Sequence, residues 1–166
     1  MIVVSDSTPL ITLMKAMQLD VLHKLFGDIL IPDAVFHEVT TNDNFPEEAE
    51  IIRNSSFIRR VSVKDDRAVL LLQRVTGLDR GESEAIIYAD DNHADLLLID
   101  ENAGRKVAQR VGLEIMGSVG VLVNACREGY LTPSDVEEAF RRMRAANRHI
   151  SERLIQDALD IVRGIT

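Results

Sequence analysis

The chain has 166 residues, 46% of them hydrophobic and 28% charged, the make-up of a globular domain with a real core rather than a disordered segment. A formal net charge of −8 disfavours binding to nucleic acid by bulk charge, which needs Lys and Arg against phosphate, but leaves room for a local basic surface beside an acidic site. The one cysteine, Cys126, excludes an internal disulfide and suits a reducing cytoplasm; inside the apolar stretch 119–126 it reads as a small buried hydrophobe.

Residues 2–6 read as an apolar strand that ends in Ser5, Asp6, Ser7 and Thr8. Asp6 and Pro9 interrupt that run and no basic segment precedes it, so a signal peptide is not expected; no uncharged apolar run is long enough to span a membrane. Helices are predicted over 9–17 and 19–26, ending near Gly27. Ile29–Ile31 is a short buried strand stopped by Pro32, and 33–40 resumes a helix with Pro32 acceptable in its first turn. Residues 40–48 form a loop, and Pro46 opens another short helix. Residues 57–63 are weakly strand-like and 66–76 are helical. Residues 80–93 form a helix with Glu82 and Glu84 in its first turn, where the helix dipole favours acids.

Leu96–Ile99 is a continuous apolar strand that stops at Asp100 and Glu101. A helix over 102–111 closes at Gly112, 113–116 is a last short strand, and 118–128 is an almost wholly apolar helix ended by Gly129. Thr132 as N-cap, Pro133 at the first helical position and Asp135 open the next helix. It begins acidic and ends basic (Arg141, Arg142, Arg144, Arg148), which complements the dipole and makes a solvated helix the plain reading of those arginines. A final helix, capped by Ser151, lines up Leu154, Ile155, Ala158, Leu159 and Val162 on one face.

Strands that are apolar throughout and separated by helices need cover on both faces. The predicted fold is therefore three-layer α/β/α with a central, mostly parallel sheet, plus C-terminal helices. It is expected as a single domain over 1–166, with a core over about 1–130 and a helical extension over 132–164. In such folds the functional crevice lies outside the carboxyl ends of the strands. Asp6 and Asp100 both sit at carboxyl ends and share one edge if their strands are neighbours. Each alone reads equally well as a helix cap. Several acids aimed at one crevice repel one another and need a cation between them. Hard ions such as Mg²⁺ and Mn²⁺ suit oxygen-only sites and support phosphodiester cleavage.

Other constellations fail. His37-Glu38 starts a zinc-protease motif, but residue 41 is Thr; the four histidines (23, 37, 93, 149) have no useful spacing with Cys126. No Gly-rich phosphate loop exists, and the Gly-x-Ser of 81–83 lacks its second Gly. A dehalogenase-type phosphatase needs an Asp at position 8, which is Thr.

The stretches "VVSDSTPLITL" (3–13), "LIPDAVFHEV" (30–39), "GESEAIIYA" (81–89), "LLLIDENAGRKVA" (96–108) and "GSVGVLVNACREGYL" (117–131) together resemble the PIN domain, the fold of VapC-like ribonuclease toxins, and more narrowly a less characterised PIN-like branch. The resemblance matches the family's four acids to Asp6, Glu38, Glu82 and Asp100. Glu84 competes with Glu82, which has the better spacing from Asp100. The chain departs from the family in having Glu at 82, where the better-known toxins have Asp, and no clear further acid after Asp100 beyond the adjacent Glu101. The resemblance implies a Mg²⁺- or Mn²⁺-dependent ribonuclease. Asp6, Glu82 and Asp100 would be its metal ligands, and Glu38 would orient the nucleophile. In-line hydrolysis would leave a 5′-phosphate and a 3′-hydroxyl.

Thr8, Arg105 and Ser118 are candidate contacts to RNA phosphate. The alternatives are a bond to Asp6 or helix capping for Thr8, a contact to Asp100 or a structural ion pair for Arg105, and helix capping for Ser118. Arg59, Arg60, Lys64 and Arg67 form a second basic cluster, read first as solvated surface. Related toxins are dimers held silent by an antitoxin, so a homodimer and a cognate antitoxin are the implied partners, in the cytoplasm and without a membrane. Two further readings stand beside the ribonuclease: a PIN-like domain that binds RNA or protein without cleaving it, and, ranked lower, a phospho-acceptor domain using Asp6.

Overall fold

The computed structural model describes residues 1–164; the last two residues of the expected domain lie outside the described residues. Five strands form one sheet: β1 (Val3–Ser5), β2 (Ile29–Pro32), β3 (Ile58–Val61), β4 (Leu96–Leu98) and β5 (Ile115–Met116). Their order is β3-β2-β1-β4-β5, and every pairing is parallel. The strand order reverses at β1, where β1 lies between β2 and β4 in the register Val4 with Leu30 and Ser5 with Leu98. That reversal is where a parallel sheet opens its crevice.

The pleat divides the core in two. Val3, Ile29, Ile31 and Leu98 enter one buried cluster, whereas Val4, Leu97 and Ile99 enter the other. Successive side chains of a strand point to opposite faces, so strands covered on both sides must be apolar at every position. The first face is covered by α1 (Ser7–Lys15), α2 (Asp20–Phe26), α8 (Ser118–Arg127), α9 (Pro133–Ala145) and α10 (Glu152–Arg163), joined by residues of α3 (Asp33–Thr41) and α4 (Pro46–Asn54). The second face is covered by α6 (Arg80–Asp91) and α7 (Asn102–Val111), with α5 (Asp66–Thr76) against α6. The result is the expected three-layer α/β/α arrangement. The C-terminal helices are part of it, since Phe140, Met143, Ile155 and Val162 are buried in the first cluster.

Two boundaries move in ways that matter for the site. The first strand ends at Ser5 rather than at residue 6, and α1 begins at Ser7 rather than at residue 9. Asp6 is thus the N-cap residue of α1. Met17 lies beyond the helix end, with a positive φ of 58° that turns the chain towards α2. The expected starts of the last two helices hold: Thr132 and Asp135 form a reciprocal capping box, and the Ser151 hydroxyl accepts from the Leu154 N–H. Cys126 is buried as expected, and burial raises its thiol pKa.

Candidate active site

The end of β1 delivers Asp6 to the carboxyl edge of the sheet. Its N–H still bonds the Leu98 carbonyl (3.0 Å), so the residue is fixed to β4 before α1 begins. Asp6 occupies the N-cap position of α1, yet its side chain makes no capping bond to the helix. The carboxylate is buried, and Oδ1 has no hydrogen-bond partner. Burial holds its pKa well above the usual carboxylate range; the Ser7 N–H opposes this, and Glu82, Asp79 and Glu38 push it further up.

Glu82 enters from the first turn of α6. Asp79 and Glu82 form a reciprocal capping box: the Glu82 N–H donates to Asp79 Oδ1 (2.8 Å), and the Asp79 N–H donates to Glu82 Oε2 (3.2 Å). That leaves Glu82 Oε1 buried and unpartnered. Its pKa is pushed up to about 7, chiefly by burial, with Asp79, Glu101 and Glu38 adding repulsion against the Asp79 N–H. Glu84, its competitor, is committed elsewhere. Its Oε2 accepts the Ala34 N–H at the start of α3 (2.8 Å), and its Oε1 accepts from Arg80 Nε (2.9 Å).

Glu38 lies on α3, half-buried. Its pKa is raised by burial and by Asp79 and Glu101, against the Ser7 hydroxyl beside it. Two glycines leave room for these acids. A Cβ at Gly81 would stand 3.0 Å from Glu38 Oε2, and one at Gly104 would stand 3.1 Å from Glu82 Oε1 and 2.6 Å from Ile99 Cδ1.

Asp100 behaves differently. Its carboxylate accepts the Ser118 N–H (Oδ1, 2.7 Å) and the Ser118 hydroxyl (Oδ2, 2.9 Å), so it caps α8 rather than the helix at Asn102. Burial raises its pKa; Ser118, Arg105 and Arg148 lower it. The pleat explains the split. Asp6 follows Val4, two residues earlier, towards the α6 face; Asp100 follows Leu98 towards the α8 face. Glu101, the next residue, acts on Glu38 and Glu82 and accepts from the Thr8 hydroxyl (3.4 Å). The structure therefore brings Asp6, Glu38 and Glu82 together with Asp79 and Glu101. Asp100 stands across the sheet edge with Ser118, Arg105 and Arg148.

The remaining candidates fall as follows. Thr8 bonds Glu101 and is the second residue of α1, not its cap. Arg105 donates Nη1–H to the Ile99 carbonyl (2.9 Å). Ser118 serves Asp100. Of the second basic cluster, Arg59 pairs with Asp28 (2.6 Å) and Arg60 with Asp33 (2.5 Å), as a solvated surface would. Sequence reasoning passed over Asp79. The signal was present: Asp79-x-x-Glu82 directly before an apolar helix is a capping-box pattern.

Two buried carboxylate oxygens without partners, in an oxygen-only set, are a donor arrangement that fits a hard divalent cation. No three acidic, histidine or cysteine side chains among the described residues are gathered into a finished cage. Carboxylates that repel one another settle apart in the absence of a cation, so the cluster would have to contract around one.

Residues 2–163 match the family model described as "DUF3368: PIN domain". No curated protein and no solved structure matches the chain.

Proposed function

The chain belongs to the PIN-domain family, a nuclease fold that generally uses divalent metals, and on that premise we propose that it is a Mg²⁺- or Mn²⁺-dependent endoribonuclease, the toxin of a toxin–antitoxin pair. The observation that carries the reading is the pair of orphaned buried oxygens, Asp6 Oδ1 and Glu82 Oε1, at the point where the strand order reverses. Asp6 and Glu82 would hold the ion directly. Asp100, held by Ser118 on the other face, would reach it through water. When bound, the ion would supply positive charge for the phosphodiester oxygens and a water acidified towards neutral pH.

The chain's own residues do the rest. Asp6 is held at the sheet edge by its N–H bond to the Leu98 carbonyl, and burial there favours the neutral carboxyl, a bias that a bound cation would offset. Glu82 is fixed by its capping box with one oxygen free. Glu38, half-buried and raised in pKa, can take a proton from the attacking water at its carboxylate. Cleavage would leave a 5′-phosphate and a 3′-hydroxyl.

We further propose a homodimer, a cognate antitoxin that covers the acidic edge, a cytoplasmic location, and a single domain in which the C-terminal helices are integral. No helix among the described residues is long and apolar enough to cross a membrane.

One observation favours the second reading, a domain that binds without cleaving: both oxygens of Asp100 are already satisfied by Ser118. A Mn²⁺ titration followed by a cleavage assay on a mixed RNA pool separates the two. The nuclease should bind Mn²⁺ and cut RNA, and Asp6→Asn should lose both while keeping its fold. A wild-type chain that neither binds Mn²⁺ nor cuts any RNA removes the nuclease reading.

A further inference from the structure

A cleft of about 960 Å³ opens beside the acids, between the end of β5, the start of α8, α1 and the segment joining α9 to α10. Asp100 and Glu101 line it, and Glu101 also acts on Glu38 and Glu82, so the cleft and the acidic crevice meet there. Its wall also carries Asn102, Arg105, Asn147, Arg148 and His149. Three of these come from the C-terminal extension. Asn147 takes the left-handed conformation (φ 56°) at the end of α9, which bends the chain so that Arg148 comes back onto α1. There Arg148 Nε donates to the Thr12 hydroxyl (3.1 Å). None of the ion pairs among the described residues engages Arg105 or Arg148. Arg141, Arg142 and Arg144, by contrast, are spent on Glu138 and Glu152.

In a chain of net charge −8, two half-buried guanidinium groups face this cleft with only the one carboxylate of Asp100, itself bonded to Ser118, acting on them, and neither forms a close ion pair. We propose that this cleft takes the phosphodiester backbone of single-stranded RNA, with Arg148 and Arg105 as its phosphate contacts, so that the α9–α10 segment is a wall of the substrate path. The inference rests on the reading of the acidic crevice as an RNA-directed site. Guanidinium forks suit phosphate oxygens, and contacts of this kind position a strand without reading its sequence. They also hold the backbone polyanion beside carboxylates that would otherwise repel it.

The test is fluorescence anisotropy of a labelled single-stranded oligoribonucleotide in magnesium buffer, on the cleavage-silenced Asp6→Asn full chain, over a range of salt. Adding Arg148→Ala should weaken binding about tenfold and reduce the slope of log affinity against log salt by about 0.7, the loss of one phosphate contact. Arg148→Lys should keep the salt slope, because the charge remains, and recover only part of the affinity, because the guanidinium fork is lost. Asn102→Glu places a negative charge on an exposed lining position without touching the core, and should weaken binding even if Arg148→Ala fails to fold. Arg153→Ala, at an exposed position of α10 that is not among the residues lining the cleft, should change much less than Arg148→Ala.

The proposal is overturned if the silenced chain binds no RNA or if Arg148→Ala, natively folded, binds with unchanged affinity and slope. It is overturned too if Arg153→Ala costs as much. Arg148-dependent binding by a wild-type chain that never cuts RNA would remove the nuclease reading and leave the cleft. Cutting with an affinity indifferent to Arg148 would do the reverse.

Discussion

Replacing Glu82 with Gln should stabilise the protein at alkaline pH and leave it unchanged in acid. In the fold the Glu82 carboxyl has a pKa of about 7 against an ordinary value of 4.5. The folded state therefore binds more protons than the unfolded chain between those two values, and stability falls as pH rises through that window. At 1.36 kcal/mol per pKa unit, the ionised group costs roughly 3 kcal/mol above pH 7, and solvent reaching the open side of the crevice lowers this to about 2 kcal/mol. Gln carries no charge to bury, and its amide oxygen can still accept the Asp79 N–H and preserve the capping box. For a chain of this size about 2 kcal/mol corresponds to a Tm rise of about 4–8 °C.

Calorimetry at pH 8 should show that rise, and at pH 4.5 almost none, because Glu82 is protonated in the fold there. Adding Mn²⁺ at pH 8 should raise the wild-type Tm, since an ion that binds only the native state stabilises it by mass action; Glu82→Gln should respond much less. A variant that is less stable at pH 8, or equally stabilised at both pH values, would refute the assignment of a strained, ionised Glu82.

Glu84→Ala should separate the two neighbouring acids: it removes the acceptor for Ala34 N–H and the partner of Arg80, and should cost about 1–3 kcal/mol in urea unfolding while the Mn²⁺ isotherm stays as in wild type. Ser118→Ala takes a hydroxyl donor from Asp100 and leaves the backbone N–H, so the Asp100 pKa should rise further and stability should drop by about 1 kcal/mol, more at pH 8 than at pH 4. Gly104→Ala would force a Cβ to within 2.6 Å of Ile99 Cδ1, and should lower stability by about 1–3 kcal/mol and disturb Glu82, read as a weaker Mn²⁺ response.

Much of the fold was legible because its signals are local. Continuous apolar strands such as Leu96–Leu98 declare burial on both faces, and Thr132-Pro133-x-Asp135 declares a helix start through its own hydrogen bonds. Asp6 and Asp100 were legible as strand ends, and their strands are indeed neighbours. Their directions were not: one residue of offset across a paired register sends them to opposite faces. Glu82 and Glu84 look equivalent in sequence, two positions apart on one helix. They part company only because α3 starts beneath Glu84 and takes one of its oxygens.

The sequence by itself thus determined the order of strands and helices, the layered class of fold, and that Asp6 and Asp100 follow strand ends, since periodicity and capping are written in adjacent residues. Only the tertiary structure decided which of those acids remain unsatisfied. That depends on donors from distant segments, such as Ser118 for Asp100 and Ala34 for Glu84, and on their absence at Asp6 Oδ1 and Glu82 Oε1. A carboxylate's availability for chemistry is set by the partners that packing brings to it, and no spacing along the chain records them.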